Sequence, residues 1–180
     1  MTKLTLVLAL ILSSQAFAGE HQHGKSLGAH EHGSIKLEMA VEGKQIEIDI
    51  DGPAESFIGF EYAPKTAKEK KAFKDAQDLW KKDLLTKIIM LDAKLGCSLG
   101  EVKFEQEMDD DHHEKGKKES GTHSDIEAEA KINCAQDPKG SMVSVALKKH
   151  FPHIKKLQID LVGSETKTIN VTKDVEQFKL

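Results

Sequence analysis

Ser34-Ile-Lys-Leu-Glu-Met-Ala-Val-Glu-Gly-Lys-Gln-Ile-Glu-Ile-Asp-Ile50 alternates apolar and polar residues along almost its whole length. Successive side chains of extended backbone point to opposite faces. Ile35, Leu37, Met39 and Val41, followed by Ile46, Ile48 and Ile50, therefore mark one buried face. Glu42-Gly43-Lys44 interrupts the pattern at its middle, which predicts a β-hairpin, and Gly52-Pro53 ends it.

Downstream, the apolar segment Phe57-Ile58-Gly59-Phe60 is followed by a break at Pro64, and then the period changes. Ala72, Phe73, Ala76, Leu79, Trp80, Leu84, Ile88 and Leu91 recur at spacings of three and four, the signature of an amphipathic helix. The expected helix runs from Thr66 to Ala93 and stops near Gly96, with Phe73 and Trp80 as core residues. Alternation returns in Val102 and Phe104, in Ile126, Ala128, Ala130 and Ile132, and in Val143, Val145 and Leu147. It continues in Leu157, Ile159 and Leu161, and in Ile169 and Val171. The fold class expected is α+β: an antiparallel β-sheet, with its N-terminal hairpin, packed against one long amphipathic helix.

Upstream of the hairpin, Lys3, the apolar run Leu4 to Leu12 and the triplet Ala16-Phe17-Ala18 have the layout of a signal peptide spanning residues 1–18. That run is far shorter than the about 20 apolar residues a membrane-crossing helix needs. The expectation is an exported, periplasmic protein with no transmembrane segment. Its mature chain would start at Gly19 with a flexible His-rich segment (19–33), followed by one domain (34–180) carrying a mobile polar loop (108–125). A net charge of −4, with lysines and acids interspersed, leaves no basic face for nucleic acid. Cys97 and Cys134 are the only cysteines, and in an oxidising compartment they are expected to pair. Such a bridge closes a loop of about 38 residues and stabilises by roughly 4 kcal/mol in the chain-entropy account.

The histidines are unevenly placed. His21 and His23, then His30 and His32, repeat the unit His-x-His-Gly ahead of the first strand. His112, His113 and His123 lie in the polar loop among Asp109, Asp110, Asp111 and Glu114. Residues two apart on extended backbone share a side, so His30 and His32 can address one ion, and so can His21 and His23. Imidazole nitrogen with carboxylate oxygen favours zinc, copper or nickel over calcium or magnesium. All seven are candidate metal ligands, and an incidental, merely solvating origin for the tracts is the competing account. His150 and His153, in His-Phe-Pro-His, read as an extended or turn segment in which structure is favoured over ligation. Imidazoles coordinate only when deprotonated, so binding is expected to weaken from pH 7 toward pH 5.

Catalytic signatures are missing: no H-E-x-x-H, no G-x-S-x-G and no phosphate-cradling glycine loop occurs, and no enzymatic activity is expected. Cleavage after Ala18 would expose Gly19-Glu20-His21, whose amine, backbone nitrogens and imidazole suit square-planar Cu(II) or Ni(II).

The chain resembles the ZrgA-type family of periplasmic zinc-uptake proteins of Gram-negative bacteria. The resemblance rests on His30-Glu-His32-Gly before an alternating strand and on Gly59-Phe60-Glu61-Tyr62-Ala63-Pro64 ahead of a lysine-rich helix. A cysteine after that helix, the His- and acid-containing loop and Phe151-Pro152 near a late strand complete it. It covers most of the chain beyond residue 18, and the loop is poorer in histidine than that family implies. The resemblance implies Zn(2+) binding without catalysis, in support of an ABC-type zinc import system or its solute-binding protein. The alternatives are a copper- or nickel-sequestering protein and an extracytoplasmic interaction module that binds no metal.

Overall fold

The computed structural model describes residues 31–108, 123–163 and 165–180. The expectations for residues 1–18, and for His21, His23, His30, His112 and His113, fall outside them.

The opening stretch folds as β1 (Ser34–Glu42) and β2 (Gln45–Pro53), paired antiparallel with Leu37 opposite Ile50, Met39 opposite Ile48 and Val41 opposite Ile46. Apolar residues meet apolar residues across the ladder, so the pattern that buries the face also sets the register. Gly43 takes φ +56° in the tight connection between the strands. β4 (Ser98–Met108), β5 (Ser124–Asn133), β7 (Lys156–Val162) and β8 (Thr166–Val171) join the hairpin in a six-stranded sheet ordered β4-β5-β2-β1-β7-β8.

One pairing departs from expectation: β1 and β7 run parallel, with Leu37 beside Ile159 and Met39 beside Leu161. The large sheet is therefore mixed rather than purely antiparallel. Alternation specifies which face is buried and is silent on strand direction, so the sequence pattern is satisfied either way. A second, three-stranded sheet was not expected either. It consists of β3 (Ile89–Leu91), β6 (Met142–Val145) and β9 (Glu176–Lys179), in the order β3-β6-β9.

The helix is shorter than its periodicity suggests. α2 (Ala67–Asp83) starts with a capping box, in which Glu69 N donates to Thr66 Oγ1 at 3.2 Å and Thr66 N to Glu69 Oε2 at 2.8 Å. It gives way to a π-helical turn at Leu84–Ile88, after which β3 pairs Ile89 with Val145 and Leu91 with Val143. Ile88 and Leu91 keep the helical spacing, but Ile88-Ile89 is also β-branched and gains a strand partner, and tertiary pairing overrides propensity there. A short 3₁₀ turn, Ala93–Leu95, then leads to Gly96 in the left-handed region. α3 (Leu147–His150) is a single helical turn, so His150 is helical rather than extended, and the backbone reverses just after it.

The core forms between the inner face of the large sheet and the elements packed on it. β1 supplies Ile35, Leu37 and Met39, β2 Ile46, Ile48 and Ile50, and β5 Ile126, Ala128, Ala130 and Ile132. Trp80 of α2 is fully buried, and its Nε1 donates to the carbonyl of Glu129 at 3.1 Å. Phe73, as expected of the apolar stripe, packs on the core 5.8 Å from the ring of Phe104. On the outer face, Lys103 stands among Glu105, Glu127 and Glu129. Cys97 and Cys134 are joined in a disulfide, one residue beyond the Ser98–Asn133 end of the β4–β5 ladder. Among the described residues, no helix is long and apolar enough to cross a membrane.

Candidate metal centre

Three segments far apart in sequence meet at one corner of the large sheet. The first is the turn before β1. Ser34 N donates to the carbonyl of Glu31 at 2.9 Å, and Gly33, at φ +78°, reverses the chain. The Gly33 carbonyl accepts from Lys155 N and Lys156 N at 2.8 and 2.9 Å, so His32 is held against the start of β7. Glu31 pairs instead with Lys156; residues 32 and 33 form a turn here rather than the extended backbone expected around His32.

The second segment is α1 (Ala54–Ile58) and the elbow after it. Glu55 lies in the only full turn of α1. Gly59, at φ +85°, caps it by donating its N–H to the Glu55 carbonyl at 2.9 Å. The left-handed cap turns the chain so that Glu61, two residues on, returns toward Glu55. The elbow is fastened on its far side by Tyr62, whose hydroxyl donates to Glu69 Oε1 at 3.1 Å. Glu69 in turn accepts from the N–H groups of Thr66 and Lys65, which hold its carboxyl below the ordinary value.

The third segment is the start of β5. Ser124, almost fully buried, donates its hydroxyl to the carbonyl of Glu61 at 2.7 Å. Gln106 Nε2 donates to Ser124 Oγ at 2.7 Å and to the Tyr62 carbonyl at 3.2 Å. This network fixes the Glu61 backbone to β4 and β5, and brings His123, the residue before Ser124, over the Glu61 side chain.

The resulting arrangement is centred on one carboxylate. Glu61 Oε1 is 2.8 Å from His32 Nδ1, and Glu61 Oε2 is 2.6 Å from His123 Nδ1. His32 Nδ1 is also 2.9 Å from Glu55 Oε2. Ligand atoms of His32, Glu55 and Glu61 lie within 4.8 Å of one another, and the rings of His32 and His123 stand 6.5 Å apart. Around a tetrahedral zinc with bonds near 2.0 to 2.1 Å, donors sit roughly 3.3 Å apart, so the His32–Glu61 and His32–Glu55 pairs need separate only by about half an ångström, while His123, on the other Glu61 oxygen, lies outside this group of three. Glu61 is the best shielded, with its side chain 17 % exposed against 41 % for Glu55 and 56 % for His32.

Of the seven histidines expected as ligands, His32 and His123 are the two described, and the fold brings them together. Glu55 and Glu61 were not among the sequence candidates. Glu61 sits inside the Gly59 to Pro64 string that marks the family resemblance, and this was the one available signal. Glu55 had none, being one of 30 acidic residues in a charge-rich chain.

Fold and centre together define an α+β protein with a surface cluster of imidazole and carboxylate groups, a donor set appropriate to a transition-metal ion. Residues 29–180 match the family model of ZrgA zinc uptake proteins, and the chain belongs to that family. Comparison with curated proteins gives no match.

Proposed function

We propose that this protein captures Zn(2+) outside the cytoplasm at His32, Glu55, Glu61 and His123, and supports its delivery to an importer of the ABC type or to that importer's solute-binding protein. The observation that carries the proposal is the position of Glu61. Its two oxygens face imidazoles from two chain segments that are separately rich in histidine. An ion drawn in by either segment reaches the same carboxylate. The remaining histidines of the two segments, His21, His23, His30, His112 and His113, then act as collectors. Asp109, Asp110 and Asp111, next to His112 and His113 in sequence, raise the local cation concentration. No step in this role needs a catalytic group. Family membership in zinc uptake and a disulfide suited to an oxidising compartment support the reading.

Calorimetric titration of the chain from Gly19 onward with zinc, copper and nickel tests it. The expected result is tight zinc binding that weakens when His32 and His123 are replaced together by Ala. Binding no tighter than that of a generic histidine-containing peptide would favour an interaction module with incidental histidines. Selective affinity for copper or nickel would favour sequestration of those ions.

A further inference from the structure

Alternation places Ser124, Ile126, Ala128, Ala130 and Ile132 of β5 on the inner face of the large sheet, with Val102, Phe104 and Gln106 of β4 beside them. Ser124 and Gln106 are polar where that face is otherwise apolar. Ser124 is 1 % exposed, and the register sets Gln106 opposite Ile126, diagonally next to Ser124. A long side chain spans such a diagonal, and Gln106 Nε2 meets Ser124 Oγ at 2.7 Å.

A hydroxyl taken out of water is destabilising unless its bonds are made. Ser124 makes both, accepting from Gln106 and donating to the Glu61 carbonyl at 2.7 Å. Gln106 donates the other proton of its amide to the Tyr62 carbonyl at 3.2 Å. The network therefore ends on two consecutive backbone carbonyls of the elbow, the first being that of Glu61. Because Ser124 follows His123, one buried hydroxyl ties together the backbones that carry the 2.6 Å contact between Glu61 and His123. Glu55 stands instead on a single helical turn, with its side chain 41 % exposed. The donor pairs at 2.8 and 2.9 Å must open by about half an ångström for zinc and further for a larger ion, and a pinned Glu61 resists the wider opening.

We propose that Ser124 and Gln106 are positioning residues of the metal centre: their hydrogen bonds hold the backbone of Glu61 so that its carboxylate stands between His32 and His123 before the ion arrives, and this hold favours zinc over a larger divalent ion such as cadmium. The inference rests on the zinc centre proposed above. Neither residue touches the ion. A ligand held in advance has less conformational freedom left to lose on binding, and supporting bonds around metal ligands are worth about 10- to 100-fold in affinity.

Competition with a chromophoric chelator measures zinc and cadmium affinity of the chain from Gly19 onward for the wild type and for Ser124→Ala, Gln106→Met, Gln77→Met and Glu61→Gln. Gln77 is the control: its Nε2 also donates to a β4 carbonyl, that of Phe104 at 3.2 Å, and this bond does not reach the elbow. Ser124→Ala and Gln106→Met should each weaken zinc binding about ten-fold or more and cadmium binding by less, with Gln77→Met unchanged for both ions. Unchanged zinc affinity in the first two variants, equal losses for the two ions, or a matching loss in Gln77→Met would overturn the inference, because bonds that only support the fold do not distinguish between ions. If Glu61→Gln binds zinc as the wild type does, the centre itself fails. If Glu61→Gln loses zinc while Ser124→Ala and Gln106→Met keep it, only the positioning role fails. Gln106 is half-buried, so Gln106→Met carries the comparison should Ser124→Ala not fold, and the melting temperatures of the metal-free variants verify which are folded.

Discussion

Glu61 and Glu55 carry the same chemistry and differ in what surrounds them. Glu61 reaches two imidazoles, is the more shielded, and has its backbone pinned by Ser124 and Gln106, whereas Glu55 reaches His32 alone from a single helical turn. A ligand held in place by other bonds loses less conformational freedom when the ion arrives. Glu61→Gln is therefore expected to weaken zinc binding by more than Glu55→Gln, the larger loss being about ten-fold or greater. Competition titration of the two variants checks this, and equal losses would show that the bridging geometry has no energetic weight. The sequence made His32 and His123 legible because histidines clustered in polar tracts are uncommon. It could not reveal that His32 and His123 meet, because nothing local to either encodes the path of the Gly59 elbow. A carboxylate among many acids carries no local mark of ligation.

At the scale of elements, the alternating strands were legible because burial on one face is a local property of period two. Strand direction, the second sheet and the early end of α2 were not, since each is decided by a partner distant in sequence, such as Val145 for Ile89. α3 shows a further consequence of packing. Burial of His150, together with the positive charges of Lys149 and Lys87, pushes its imidazole below the ordinary value of 6.5. Asp83 and a bond to the backbone of Lys87 oppose this and do not overcome it. The folded state thus prefers the neutral ring. The stability this gives is complete above about pH 6.5 and declines as pH falls through the depressed folded value. Urea midpoints of the metal-free protein should fall between pH 7.5 and pH 5.5, and His150→Gln should flatten that decline. Parallel profiles for the two proteins would contradict the assignment.

On the scale of the whole molecule, the disulfide and the metal centre occupy opposite ends of one ladder. β4 and β5 pair from Ser98 with Asn133, next to the bridge, to Met108 with Ser124, next to His123. Strands of this length extend roughly 30 Å, so the two features share no contact through which to couple directly. Reducing Cys97–Cys134, or replacing both by Ser, should lower unfolding stability by about 4 kcal/mol at most. Zinc affinity of the folded protein should stay within about two-fold, since distant sites without shared partners act independently. Denaturant titration and chelator competition on the same sample separate the two effects. A large loss of zinc affinity in a still-folded reduced protein would mean that the ladder transmits strain to the centre.

His32 and His123, from two parts of the chain that are each rich in histidine, converge on Glu61. A crystal grown with zinc, with diffraction recorded on both sides of the zinc absorption edge, tests it most directly. An anomalous peak is expected about 2.0 to 2.2 Å from a Glu61 oxygen and from a nitrogen of His32, with His123 on the same carboxylate. Zinc held by histidines with Glu61 standing apart from every ion would contradict it.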